Sequence, residues 1–142
     1  MNTRELDLTV LHLIFGVKRV YYNDWDTEKE FNPEYIPSGK PIKTHAIDLK
    51  LVPRFSTSPD ACYVLKLKMA EKYHWEIKSP FFDGQRWFAG LTPHSTTGWN
   101  GEPDFKDYGS TEMEAVCRCA LRASGFDPNV ISLPQEISIN KY

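Results

Sequence analysis

Two aromatic-rich segments meet at Asp83 and Gly84, and they constrain the fold of this chain more than any other feature. HWEIKSPFF precedes the dipeptide and QRWFAGLTP follows it. Asp-Gly between two such segments is the strongest short signal for a β-hairpin, because glycine readily adopts the positive φ that the turn requires. The alternation of the second segment places Trp87 and Ala89 on one face and Phe88 on the other. We therefore expect an antiparallel sheet with a central hairpin.

Three segments with helical periodicity accompany the hairpin. Each begins at a polar side chain that can accept a hydrogen bond from the first backbone N–H groups, and each carries an apolar stripe along one face. An antiparallel sheet packed against amphipathic helices belongs to the α+β class. The predicted signals are Asn2 with Glu5 and Gly16 for the first helix, Ser58 with Pro59 for the second, and Ser110 with Glu114 and Gly125 for the third.

The length of 142 residues and the hydrophobic content of 41% suit a single domain spanning residues 1–142. Residues 21–55 contain four prolines and only short β-like pieces, VKRVYY at the start and HAIDLKLV near the end. This helix-free insertion is interpreted in one of two ways: as a segment for function or for subunit assembly, or as a flexible insertion specific to the family. Residues 93–109 are predicted to form a loop with aromatic content. The tail at 126–142 is expected to be extended, and to add an edge strand or to reach a neighbouring subunit.

Charge and cysteine content limit the classes of partner. A formal net charge of −2 and a pI of about 6.1 argue against binding to long nucleic acids. No apolar leader and no run long enough to cross a bilayer is visible, so we expect a cytoplasmic protein without membrane contact. Cys62, Cys117 and Cys119 lack metal-ligand spacing. They are interpreted as core thiols, and no metal site is predicted.

Sequence motifs for catalysis are missing. The chain has no GxSxG, HExxH, P-loop or dinucleotide-binding glycine motif. Its histidines, at positions 12, 45, 74 and 94, are scattered, and HSTT beside Asp104 has no diagnostic triad spacing. We expect no catalytic residues, no cofactor and no enzymatic activity.

The stretch EAVCRCALRASG contains Arg118 and Arg122, which are four residues apart and share one face of the third helix. Two interpretations are open. Both arginines can be solvated or paired with a nearby acid, and Glu114 lies four residues before Arg118. Alternatively, the two guanidinium groups form a fork for an anion such as a phosphate, which planar arginines bind with two hydrogen bonds each.

Three stretches of the chain resemble a family of small bacteriophage proteins, the phage α-β-α sandwich domain. RELDLTVLHLIFG is similar to the opening amphipathic helix of that family, FSTSPDACYVLKLKMAEKY to its Ser-Thr-led helix, and TEMEAVCRCALRASG to its closing helix. Together they cover about a third of the chain. The resemblance implies an α-β-α sandwich fold and a phage-encoded protein in the host cytoplasm.

Within that family, the chain is similar in size, hairpin and paired helical arginines to the Thoeris anti-defence protein 1 branch. Those proteins bind a cyclic ADP-ribose isomer, an immune signal of the host, and hold it without cleaving it; some are reported to take up cyclic oligonucleotides. The resemblance implies a pocket lined by Arg118, Arg122, Phe88 and Asn100. The implied function is that of an anti-defence sponge for a cyclic nucleotide.

A ligand of this class offers phosphates, a base and ribose hydroxyls, so its site needs cationic forks, an aromatic ring and neutral polar groups. Trp99 is a candidate to cover the base, or it plugs the end of the sheet. Asn100 is a candidate polar contact or a plain turn residue. His94 is a candidate contact to ribose or phosphate, or it is solvated.

Assembly and an alternative function complete the expectations. The broad apolar content of the first helix and the small residues of the last predict a homodimer or a higher even-numbered homo-oligomer. The alternative is a phage accessory protein that binds another protein through the 21–55 insertion and the C-terminal tail. Titration with cyclic nucleotides distinguishes the two functions.

Overall fold

The structure is a computed structural model, which describes residues 2–17, 19–22, 47–48, 52–77, 80–93, 103–129 and 138–141. It confirms the α+β class, with helices packed against an antiparallel sheet. In chain order the elements are α1 Thr3–Leu13, β1 Arg19–Tyr22, β2 Ile47–Asp48, α2 Pro59–Tyr73, β3 Trp75–Ile77, β4 Phe81–Phe82, β5 Trp87–Pro93, β6 Phe105–Gly109, α3 Glu112–Ala123 and β7 Ser138–Lys141.

The predicted hairpin is present between β4 and β5, where Phe82 pairs with Trp87. The Asp83 carboxylate accepts a hydrogen bond from the backbone N–H of Arg86 at 2.9 Å, and Gly84 has a φ of 103°. Backbone N–H donors lower the pKa of Asp83. β3 also pairs with β5, and β6 pairs with it along the other side. β5 is therefore the central strand of this antiparallel sheet.

The two faces of this sheet differ in what they contact. Ala89 lies opposite Asp107 in the register of β5 and β6, and both side chains are buried. α3 packs against these two strands. On the other face Phe88 lies opposite Tyr108, with their ring centroids 5.4 Å apart in an edge-on arrangement, and the Phe81 ring is 4.9 Å from that of Phe88. The alternation therefore predicted the orientation of Phe88 correctly.

The predicted loop at residues 93–109 is wrong at its end, because Phe105–Gly109 forms β6. The sequence FKDYG gives no clear strand signal, because aspartate and glycine are depleted in strands. Asp107 also occupies a position that faces the helix, where an apolar residue is expected in a half-buried strand. Its burial depends on partners from α3, which are described below.

α3 begins one residue later than the predicted signal. Thr111, not Ser110, is the N-cap, and its hydroxyl oxygen accepts the N–H of Glu114 at 3.2 Å. The Ser110 hydroxyl donates to the Glu114 carboxylate at 2.5 Å, so that carboxylate is fixed at the start of the helix. The buried face of α3 consists of Ala115, Val116, Cys117, Cys119, Ala120 and Leu121.

Gly109 ends β6 directly under the first turn of α3. A methyl group on its Cα would lie 2.6 Å from the backbone nitrogen of Ala115 and 3.0 Å from the carbonyl carbon of Glu114. Because these are backbone atoms, relief requires movement of the helix. We expect Gly109→Ala to lower the free energy of unfolding by about 2 kcal/mol, seen as a fall in Tm of about 5 °C. An unchanged Tm would show that the junction of β6 and α3 is not close-packed.

α1 begins at the predicted cap, where the Asn2 side chain accepts the N–H of Glu5 at 2.8 Å. Its buried face includes a carboxylate, that of Asp7, which accepts hydrogen bonds from the backbone N–H of Ser56 at 2.8 Å and from the Ser56 hydroxyl at 2.7 Å. Arg4 Nη1 lies 3.1 Å from Asp7 Oδ2. Burial raises the pKa of Asp7 and lowers that of Arg4. This network attaches α1 to the turn before α2.

The insertion predicted at 21–55 is described only at its ends. Both β-like pieces contain a strand, β1 and β2, which pair in parallel. β7 pairs in parallel with the other side of β1, so in the described part of the chain these strands form a second sheet, in the order β2-β1-β7. The tail supplies an edge strand of this second sheet, which is one of its two predicted roles. Val52 and Phe55 are buried, and Phe55 stacks on Phe15 with ring centroids 5.1 Å apart. The end of the segment is therefore part of the core.

Candidate functional site

An open cleft of about 480 Å³ lies where the hairpin turn, the end of β6 and the polar face of α3 meet. It brings together the two arginines that the sequence singled out. It also contains a third arginine, from the residue just before β5, and two acidic residues. The lining residues are Gln85, Arg86, Asp107, Tyr108, Gly109, Ser110, Glu114, Arg118, Arg122 and Asn129.

Asp107 is the central residue of the cleft. Its carboxylate is buried against α3 and lies between two guanidinium groups, with Oδ1 3.4 Å from Arg118 Nε and Oδ2 2.5 Å from Arg122 Nε. The backbone N–H of Tyr108 also donates to Oδ1, at 2.6 Å. The paired-acid interpretation therefore holds, but the acid is Asp107 and not Glu114, whose carboxylate is bound by Ser110.

Arg118 is engaged through all three of its guanidinium nitrogens. Besides Nε on Asp107, its Nη1 donates to the carbonyl of Pro128 at 3.3 Å and its Nη2 to Oδ1 of Asn129 at 2.5 Å. Only 17% of the side chain is exposed. Arg118 therefore connects β6 to the segment that follows α3, and its main role is to hold the wall of the cleft.

Arg122 is more accessible than Arg118. Its side chain is 34% exposed, and Nε makes the short contact with Asp107. The next ion pair, between Nη2 and Asp127 Oδ1, is long at 4.0 Å. The terminal amino groups of Arg122 are thus the α3 guanidinium donors best placed to receive an anion.

Arg86 and Tyr108 form the opposite wall. The guanidinium carbon of Arg86 lies 3.7 Å from the centroid of the Tyr108 ring, which is within the range of a cation–π contact. Arg86 is exposed, whereas Tyr108 is partly buried. A planar cation on an aromatic ring therefore stands across the end of β6 from the arginines of α3.

The structure does not bring Phe88 to the cleft. Phe88 lies on the face of the sheet opposite Asp107, and it packs between the rings of Phe81 and Tyr108. It reaches the cleft only through Tyr108. The other predicted site residues, His94, Trp99 and Asn100, lie outside the described residues.

Sequence reasoning missed Asp107, Tyr108 and Arg86 as site residues. A usable signal was the order of the residues, because FKDYG, with its acid at position 107, stands just before a helix that carries two arginines on one face. An acid at an inward position of such a strand needs cationic partners. Arg118 and Arg122 are the cations at hand on that helix.

Thiol chemistry does not fit this cleft. Cys119 lies next to the pair of Asp107 and Arg122, and its thiol donates to the carbonyl of Phe105 at 3.5 Å. Burial, with a smaller effect from the Asp107 carboxylate, raises the pKa of Cys119 to about 12. The thiol is therefore protonated at neutral pH and is no nucleophile. All three cysteines are free and buried, as expected of core thiols.

No known protein family, curated protein or solved structure matches the chain. Among the residues that the structure describes, no three histidine, cysteine or acidic side chains are grouped so as to hold a metal ion. The described helices are also too short or too polar to span a membrane. The cleft itself is therefore the basis for any functional assignment.

Proposed function

We propose that this protein binds a small anionic nucleotide in the cleft and holds it without cleaving it. The observation that carries the proposal is the convergence of Arg86, Arg118 and Arg122 on one cavity. With Asp107 and Glu114, the lining contains three cationic and two acidic groups. The local charge is thus positive in a chain whose formal net charge is −2.

The size and chemistry of the cleft suit this ligand class. A volume of about 480 Å³ falls within the range of small-molecule sites. The amino groups of Arg122 supply charge-assisted donors for phosphate oxygens, and Ser110 and Asn129 add neutral polar groups at the rim.

The resemblance to phage α-β-α sandwich proteins supplies a biological setting for this binding. In that setting the protein is a phage-encoded sponge in the host cytoplasm, which sequesters a cyclic ADP-ribose isomer or a cyclic oligonucleotide. A sponge acts by stoichiometry, so one cleft per chain removes one signal molecule. We further propose that it acts as a homodimer or a higher even-numbered homo-oligomer.

A second candidate, an accessory protein that binds a host or phage protein, is favoured by two exposed aromatic side chains. Phe81 and Phe82 at the hairpin are 51% and 55% exposed, which is high for adjacent phenylalanines. Neighbouring exposed apolar residues are typical of contact surfaces. The 21–55 insertion and the tail, to which the sequence assigns this contact, lie mostly outside the described residues.

Isothermal titration separates the two candidates. We expect saturable binding of a cyclic ADP-ribose isomer or a cyclic dinucleotide at one site per chain, and we expect mass spectrometry to recover that compound intact after heat denaturation of the complex. Recovery of a hydrolysed product would show that the protein cleaves the nucleotide, and would reject the sponge proposal in favour of an enzyme. If neither the cyclic ADP-ribose isomers nor the cyclic dinucleotides bind, the nucleotide-binding proposal is rejected and the protein-binding candidate remains.

A further inference from the structure

The cleft has two walls that differ in chemistry. On one wall, the Asp107 carboxylate holds Nε of Arg122, and the terminal amino groups of Arg122 are the donors that suit phosphate oxygens. On the other wall, the guanidinium carbon of Arg86 lies 3.7 Å from the centroid of the Tyr108 ring, a cation–π distance. Since both walls line the same cavity, a ligand that contacts both must carry two different groups.

The wall formed by Arg86 is built on a row of rings. Tyr108 contacts Phe88 edge-on at 5.4 Å, and Phe88 contacts Phe81 at 4.9 Å. These contacts hold the Tyr108 ring in place, and the ring in turn holds the guanidinium plane. A guanidinium that contacts tyrosine with one face can contact another group with its second face. Arg86 is exposed, so a ligand can reach that second face.

A flat, weakly hydrated guanidinium is a good surface for a second planar group. Arginine stacks on aromatic rings and on nucleobases, and such stacking tolerates many bases because each has a π-face. A phosphate, in contrast, is bound in the plane of the guanidinium, at its N–H groups. With its guanidinium carbon 3.7 Å from the Tyr108 centroid, Arg86 is placed to stack a second ring on its other face.

We propose that Arg86 is the ring-binding residue of the cleft, with Tyr108 as the residue that positions it. A nucleobase stacks on the face of the Arg86 guanidinium directed away from Tyr108, while the phosphates of the same molecule reach Arg122. This inference rests on the proposed function and deepens it. It assigns the stacking role to Arg86, which lines the cleft, in place of Phe88, which is not among the lining residues.

The division of the cleft has a consequence for ligand class. Inorganic pyrophosphate and sugar phosphates satisfy only the wall with Arg122. A nucleoside satisfies only the wall with Arg86. A compound with a base and phosphates in one molecule engages both, so the preferred ligand class is the nucleotides and not phosphates in general.

Titration of Arg86→Ala with two probes, cyclic ADP-ribose and inorganic pyrophosphate, tests the assignment. We expect the variant to bind cyclic ADP-ribose about tenfold or more weakly than the parent, which corresponds to the loss of one stacked base. Its affinity for pyrophosphate should stay nearly unchanged. Arg86→Lys retains the charge without the planar surface, so it should lose most of the same affinity for cyclic ADP-ribose.

A control is available on α2, where Lys68 Nζ lies 5.9 Å from the centroid of the Phe15 ring, outside the cleft lining. Lys68→Ala should leave the affinity for both probes unchanged. Equal weakening of both probes by Arg86→Ala would show that Arg86 acts by charge alone and would overturn the ring contact, while the nucleotide proposal would stand. Unchanged binding of cyclic ADP-ribose would overturn it too. If the parent protein binds neither of these probes and no cyclic dinucleotide, both proposals fail.

Discussion

Replacement of Asp107 with asparagine is expected to lower the free energy of unfolding by about 2 kcal/mol and, at the same time, to tighten the binding of pyrophosphate about tenfold. The two effects have one cause. The Asp107 carboxylate lies between Arg118 and Arg122 in the folded protein and offsets half of their combined charge. Without its charge, the two guanidinium groups on one helix face repel each other, and their full positive charge acts on an added anion.

Asparagine is the sharper replacement because it preserves the shape of the side chain and the acceptor for the Tyr108 N–H. The loss of stability should appear as a fall in Tm of about 5 °C without ligand, and part of it should return when pyrophosphate is added, because a ligand that binds only the folded state stabilises it. Thermal unfolding with and without pyrophosphate, together with calorimetric titration, measures both effects.

Asp60→Asn is the matched control, because Asp60 is exposed in the first turn of α2, outside the cleft lining. It should alter stability by no more than about 0.5 kcal/mol and leave pyrophosphate binding unchanged. If Asp107→Asn weakens pyrophosphate binding instead, the carboxylate does not compete with anions. The arginines would then be structural, and the cleft would not be an anion site.

Arg122→Ala is expected to weaken the binding of cyclic ADP-ribose by about 2 kcal/mol or more, a rise in dissociation constant of about thirtyfold. Arg122 has the higher exposure of the two α3 arginines, and beyond its contact with Asp107 its nearest ion pair is 4.0 Å long. Its terminal amino groups can therefore turn to a phosphate at little cost. Lysine at this position should recover only part of the loss, because an ammonium cannot make the two-point contact.

Comparison with Arg118→Ala separates binding from folding. Arg118 holds Asp107, Pro128 and Asn129 together, so its removal should lower the free energy of unfolding by about 2 kcal/mol. Arg122→Ala, which leaves Asp107 with Arg118, should cost only about 1 kcal/mol. Titrations and Tm values of the two variants give the comparison. Parent-like binding of cyclic ADP-ribose by Arg122→Ala would reject the site.

Local signals predicted the elements whose cause is local. The Asp83–Gly84 turn and the caps at Asn2 and Ser58 each depend on atoms within a few residues, and each is present in the structure. β6 was missed because its inward side chain, Asp107, is stabilised by partners 11 and 15 residues away on α3. A sequence segment that covers the strand alone shows only an aspartate at a position where an acidic residue is unfavourable.

The sequence predicted the two arginines of the site but not their partners on β6, for a related reason. Helical spacing correctly placed Arg118 and Arg122 on one face, but spacing does not reveal the strand that this face covers. The alternation in β5 already placed Phe88 away from Trp87 and Ala89, the residues on the helix-facing side. Its inclusion with the arginines came from the family resemblance, and the geometry of the sheet separates them.

The contact between Asp7 and Ser56 also bears on the order in which the chain folds. These residues are 49 positions apart, and the intervening segment must close as a loop before the carboxylate meets its donors. Loop closure lowers chain entropy before the contacts compensate for it, and an isolated helix of 11 residues is marginal in water. The part of the stability of α1 that comes from Asp7 is consequently gained only when the Ser56 turn packs against it. The first residues of the chain are thus expected to be among the last to become protected from hydrogen exchange during refolding.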